Sequence, residues 1–358
     1  MSLISTSLLS ADSRAQIDAT IDQALARIDR RAQPFGGVFA ELGAAIHRSA
    51  RGGKRFRPAL VVATFESLGG DASTNGCVYP VAAAFELLHA AFLMHDDILD
   101  HDTMRRGVPN VSGEFRSYAS RWGADASGAA LVGDAAGLLA GDLLLHESQR
   151  LIALCPASDD ERARLLDLLD EAVLVSAAGE LADVAHSVLD KEPAAADILA
   201  VTHDKTAVYS FAAPLRAGAL LAGASPETEA MLAQFGSRLG LAYQLVDDLI
   251  GAFGTDEQAG RPAGADLREA KQTALIALAR ATASWSEVSD ALALAHTGPI
   301  AVRHAQDVLD GSGARRELER LVNGALTEAR ALVVASSLPP ATARMLGDLV
   351  SAVEARIP

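Results

Sequence analysis

The 358-residue chain is long enough for one large domain or two ordinary ones. Half of it is apolar but only 4% aromatic, and Ala and Leu, both strong helix formers, dominate. A formal net charge of −15 argues against nucleic acid or an anionic membrane surface as the main partner, so any phosphate chemistry must rest on locally concentrated cations.

Taken in chain order, the first fourteen residues lack the basic start and sustained apolar stretch of a signal peptide. Helical periodicity then predicts helices over residues 14–31 and 38–49, separated by a break at Pro34–Gly37. Another starts near Pro58, and a long one spans 76–101 before Gly107 and Pro109. Further helices are expected over 128–153, 160–188, 194–222 and 227–252. Residues 254–264, with Gly254, Gly260, Pro262 and Gly264, read as a loop, and the last ninety or so residues as helical without an interpretable motif. Strand-like alternation and low-complexity linkers are absent. The expectation is an all-α protein, residues 1–358 forming a single domain. No run approaches the ~18 uninterrupted apolar residues of a membrane span, the richest (79–95) being broken by Glu86 and His89. Cys77 and Cys155, far apart and without metal-like spacing, read as apolar fillers in a reducing compartment, hence a cytoplasmic protein.

Two segments echo one another: AFLMHDDIL at 91–99 and AYQLVDDLI at 242–250 each place an Asp pair after an aromatic, apolar run. In the first, Asp96 and Asp100 share a helix face and Asp97 flanks them. Three carboxylates this close need a cation, and hard oxygen ligands suit Mg²⁺ shared with substrate phosphates. A solvated acidic helix end is the plain alternative. The second pair, Asp247 and Asp248, has Gly251 at i+4 and so lacks a third carboxylate, while Gln244 lies one turn before Asp248. Cations flank these acids in sequence: Lys54, Arg55 and Arg57 in GGKRFRP, and Arg105 with Arg106 after DDILD. Arg offers bidentate phosphate contacts and Lys a point charge. Lys205 and Thr206 occur in HDKTAVYSF, and GRPAGADLREAK carries Arg261 and Lys271 on a Gly/Pro-rich segment suited to a lid.

From about residue 50 to residue 280 these motifs, in this order, resemble the trans-polyprenyl diphosphate synthases, the farnesyl and geranylgeranyl diphosphate synthase family. The resemblance implies a single large helical bundle around a central cavity, usually a homodimer. It implies Mg²⁺, three ions per active site, held by Asp96, Asp97 and Asp100 and by Asp247 and Asp248. It implies that Lys54, Arg57, His89 and Arg106 hold isopentenyl diphosphate, and that Arg105, Lys205, Gln244 and Lys271, with Thr206 beside Lys205, contact the allylic diphosphate. Two departures are visible: Gly251 stands where the family often has a third Asp, and Arg261 where it has a loop Lys. Bulk at Ala91 and Phe92 commonly limits chain length in the family; one being small and one large, a C20 product is expected, with C15 next. Three other readings fit less well. A class I terpene cyclase would mix Asn, Ser and Glu in its second metal motif, and a di-iron bundle would need a second Glu-x-x-His besides Glu86–His89, where Asp183–His186 has the wrong acid. A non-catalytic partner subunit would have lost aspartates.

Overall fold

A computed structural model describes residues 8–105, 107–189, 193–259 and 262–358. The protein is all-α; the only strands among the described residues are the antiparallel pair Met104–Arg105 and Val108–Pro109. The chain divides into two compact units, Met1–Leu169 with Ala217–Ala224, and Asp170–Arg216 with Ser225–Pro358.

In the first unit the helix Val78–Leu99 forms the spine. Val81, Ala82, Ala83, Ala84, Phe85, Leu87 and Leu88 are fully buried, so it is apolar nearly all round until it reaches its acids. Its closest neighbour is the helix Ala126–Leu154. Gly133, Gly137 and Gly141 recur there every fourth residue, on one face. A Cβ at Gly137 would lie 3.0 Å from Ile98, one at Gly141 would overlap the His95 ring, and one at Gly133 would lie 2.5 Å from Arg116 of the helix Val111–Arg121. Each helical Gly costs about 1 kcal/mol against Ala; here each permits a close approach that no side chain could.

In the second unit the spine is Pro226–Phe253, started by Ser225 capping the Thr228 amide with Pro226 in the first turn. It packs against the helix Ala314–Ala335 and against a π-helical segment, His203–Ala212. Gly236 and Gly240 make the second contact possible, since a Cβ on either would lie 2.6 Å from Ala212 or Ala207. Gly179 approaches the same segment, its Cβ position lying 2.5 Å from the Lys205 nitrogen.

The long helices fall where the periodicity placed them, with ends shifted by a few residues. The expected helix 194–222 is instead Ala195–Thr202, the π segment and Ala213–Leu221. Apolar spacing does not register one extra residue per turn, which is what π-helical bonding inserts. The helix Val111–Arg121 and the two short strands were not expected either. Val78–Leu99 and Ala126–Leu154 are long and apolar enough to cross a membrane by length and composition; 61% of the most apolar window of the first, and 39% of the second, is buried in the fold.

Candidate active site

The first acidic set sits where Val78–Leu99 ends. Asp100 is the C-cap, and a Schellman closure follows: the His101 amide donates to Ile98 O at 3.1 Å and the Asp102 amide to Asp97 O at 2.8 Å. His101 takes the left-handed conformation (φ 58°) that Gly usually supplies at this position. The chain then turns back, and Arg105 donates through Nε (2.8 Å) and Nη2 (2.5 Å) to Asp97 Oδ1, with Nη2 also 3.4 Å from Asp96 Oδ2. Asp97 is buried, Asp96 half-buried and Asp100 exposed. Burial pushes the Asp97 carboxyl up, against the opposing pull of Arg105 and Asn110. Asn110 also caps Val111–Arg121 through the Gly113 amide and donates to Asp102 O at 2.9 Å, stapling the turn shut.

The cations of GGKRFRP separate. Lys54 is exposed, Arg57 is buried in the first turn of Phe56–Ser67, and Arg55 turns inward to Asp18 and Glu86. Glu86 Oε1 is paired with Arg55 at 3.1 Å. His89 and Phe92 are half-buried and Ala91 fully buried on the long helix.

The second acidic pair divides its work. Asp247 is half-buried and paired with Arg356, whose guanidinium also stacks 4.3 Å from the Tyr243 ring. Asp248 is buried, its Oδ2 accepting from the Ala274 amide at 3.1 Å at the start of the helix Ala274–Arg280. Burial raises Asp248 to about 7, with the Asp266 and Asp247 charges adding and the Ala274 amide and Gln244 opposing. Burial likewise pushes Asp247 up, against Arg356 and Tyr243. The space beside Gly251 is taken: a Cβ there would overlap the Asp266 carboxylate. Lys205, in the π segment, lies 2.9 Å from Asp183 Oδ2 and 3.1 Å from Glu180 Oε1. Thr206 beside it is half-buried, and Lys271 is exposed, 3.5 Å from Glu269. Arg106 and Arg261 lie outside the described residues.

A family model described as Polyprenyl synthetase matches residues 40–309 and so runs through both units. The chain belongs to the polyprenyl synthetase family.

Its members are prenyltransferases. A geranylfarnesyl diphosphate synthase of Aeropyrum pernix is 32% identical over 76% of this chain and 80% of its own. A (2E,6E)-farnesyl diphosphate synthase of Mycobacterium bovis is 32% identical over 84% and 73%. The geranylgeranyl pyrophosphate synthase of Corynebacterium glutamicum, solved with isoprenyl diphosphate and magnesium, superposes with a TM-score of 0.87 at 28% identity, covering 97% of this chain and all of its own. Within this family frame, the residues that sequence reasoning missed are supporting ones. Asn110, Glu180, Asp266 and Arg356 each contact a motif residue. Only Asn110, a capping residue directly after Pro109, carried a local signal.

Proposed function

We propose that the chain condenses isopentenyl diphosphate with an allylic diphosphate, its main product being geranylgeranyl diphosphate (C20). The observation that carries the reading is that each acidic set has its own cation: Arg105 on Asp97 and Asp96, and Arg356 on Asp247. Such sets suit a substrate that is itself a metal-bound polyanion.

Every donor in the two sets is a carboxylate oxygen, the chemistry that fits Mg²⁺. Among the described residues no three His, Cys, Asp or Glu side chains are arranged to enclose an ion. An ion that draws its remaining ligands from diphosphate and water fits such open sets. Asp96, Asp97 and Asp100 would hold it on the allylic diphosphate, and Asp247 with Asp248 a further one; the expected stoichiometry is three per site. Magnesium so bound supplies the charge that stabilises a departing diphosphate. The magnesium in the Corynebacterium structure supports this assignment.

The chain's own residues do the rest. Arg105, Lys205, Thr206, Gln244 and Lys271 orient the allylic diphosphate so that its C–O bond can break, and Lys54, Arg57, His89 and Arg106 hold isopentenyl diphosphate. Arg261 belongs with the first group. The isopentenyl double bond attacks the allylic carbon, and the proton then lost goes to the released diphosphate. Apolar Ala and Leu surroundings exclude water that would trap the cation. Ala91 and Phe92, on the acid-bearing helix, set the product length; the geranylfarnesyl and farnesyl relatives make C15 and longer products the competing outcomes. Exposed Leu131 and Leu138, seven residues apart on one helix face, support a homodimer, which sedimentation tests. Free, buried Cys77 and Cys155 suit the cytoplasm.

Chromatography of dephosphorylated products from C5, C10 and C15 primers with isopentenyl diphosphate tests the whole reading. C20 as a minor species overturns the length. No turnover of any primer with Mg²⁺ overturns the reaction.

A further inference from the structure

We propose that Arg55 is a positioning residue that sets Lys54 for the diphosphate of isopentenyl diphosphate without touching it; this rests on the reading of Lys54 given above. Gly52 (φ 78°), Gly53 (φ 102°) and Arg55 (φ 52°) place three of four consecutive residues in left-handed or otherwise positive-φ backbone. Glycine adopts such conformations freely; Arg does not, so tertiary contacts must hold it there.

Those contacts are on hand. The Arg55 side chain is only 4% exposed; its Nε donates to Asp18 Oδ1 at 2.7 Å and its Nη1 to Glu86 Oε1 at 3.1 Å. Arg14 adds Nη2 to the Gly53 carbonyl at 3.2 Å. A Cβ at Gly53 would lie 3.2 Å from Glu86 Oε1 and 3.7 Å from Arg55 Nη1, so the loop backbone rests directly on the ion pair. Glu86 is three residues before His89 on the same helix, one turn away. The hub therefore joins the helix Ala11–Ala32, the loop, and the helix that carries His89 and the first acidic set. Lys54, next in the chain to the clamped residue, is exposed. A long, flexible Lys recognises a diphosphate well only if its backbone is placed beforehand.

Three consequences separate this role from a general structural one. Without the hub the loop relaxes and Lys54 loses its position, so KM for isopentenyl diphosphate rises. The turnover number at saturation, the primer KM and the Mg²⁺ requirement stay the same, because Arg55 touches none of the groups involved. Restoring a cation that can reach both carboxylates restores part of the effect.

Steady-state kinetics on the full chain test this with Arg55→Met, Arg55→Lys, Lys54→Ala and the double variant Arg55→Met with Glu86→Leu. The double variant exchanges the buried pair for apolar bulk and keeps the fold even where the orphaned Glu86 of the single variant does not. The expected result is a rise in KM for isopentenyl diphosphate of about tenfold or more in Arg55→Met and in the double variant, partial recovery in Arg55→Lys, and turnover within about twofold. An unchanged KM for isopentenyl diphosphate in the folded double variant, or an equal rise in primer KM, overturns the role of Arg55. Lys54→Ala is the reference. If it leaves that KM unchanged, the loop assignment fails and the role of Arg55 with it; if it raises the KM while the Arg55 variants do not, only the role of Arg55 is lost.

Discussion

Arg356 and Asp247, 109 residues apart, form an ion pair on the exposed side of the second acidic set. Arg105 pairs with Asp97, the buried member of the first. On the metal role proposed for Asp247, its guanidinium partner is a competitor that the metal must displace. Arg356→Gln is expected to lower the half-saturating Mn²⁺ concentration about fivefold, the worth of a part-exposed pair of about 1 kcal/mol. Loss of the free-Mn²⁺ EPR signal reads it, and Asp247→Ala should abolish the difference.

Gly251 and Asp266 share one space, so the missing third carboxylate of DDLIG cannot simply be restored. Gly251→Asp should destabilise the chain by about 3 kcal/mol or more, from overpacking beside a buried like charge. The double variant Gly251→Asp with Asp266→Gly vacates the space and should recover most of the melting temperature; no recovery would contradict the shared-space geometry.

Asp248 gives the metal-free protein a definite pH response. Its carboxyl titrates near 7 in the fold against an ordinary 3.8, raised chiefly by burial. A raised acid favours the folded state fully below pH 3.8, and that contribution is lost as pH climbs through 7. Asp248→Asn, which can still accept from the Ala274 amide, should match the wild type at pH 4 and exceed it at pH 8 by a few kcal/mol, on the order of the shift itself. On the metal role proposed for Asp248, Mg²⁺ with inorganic diphosphate should stabilise the wild type more at pH 8 than at pH 6, because a metal takes the ionised carboxylate. Urea unfolding across pH measures both.

Gly141 tests the packing of the first acidic set. A methyl there collides with the His95 ring, adjacent to Asp96. Gly141→Ala should cost about 1–3 kcal/mol despite the better helix propensity of Ala, whereas exposed Gly324, with open space around it, should gain stability from the same change.

Phe92, one turn before Asp96, is the expected floor of the chain-length determinant. Phe92→Ala should shift products beyond those of the wild type in the primer assay. An unchanged distribution removes Phe92 from that role.

The helices were legible because Ala, Leu and regular apolar spacing carry their own signal, and the acid motifs because three carboxylates in five residues demand an explanation. What stayed hidden was long-range or conformational. Nothing local distinguishes Arg55 from Lys54 and Arg57; only the positive φ and the distant Asp18 and Glu86 turn it inward. Gly251 reads as a deficit in sequence and is a vacancy filled by Asp266 in the fold. Likewise the π segment around Lys205 hides inside an unbroken helical pattern, because backbone bonding, not residue type, sets its register.

The glycine pair at 137 and 141 also bears on how such a chain could diversify. One side of the acid-bearing helix is pressed against Gly137 and Gly141, so His95 and Ile98 can grow only into backbone that has nothing to give. Laboratory evolution of product length should therefore accumulate substitutions at Ala91, Phe92 and positions outside that contact, and leave the glycine-facing side untouched.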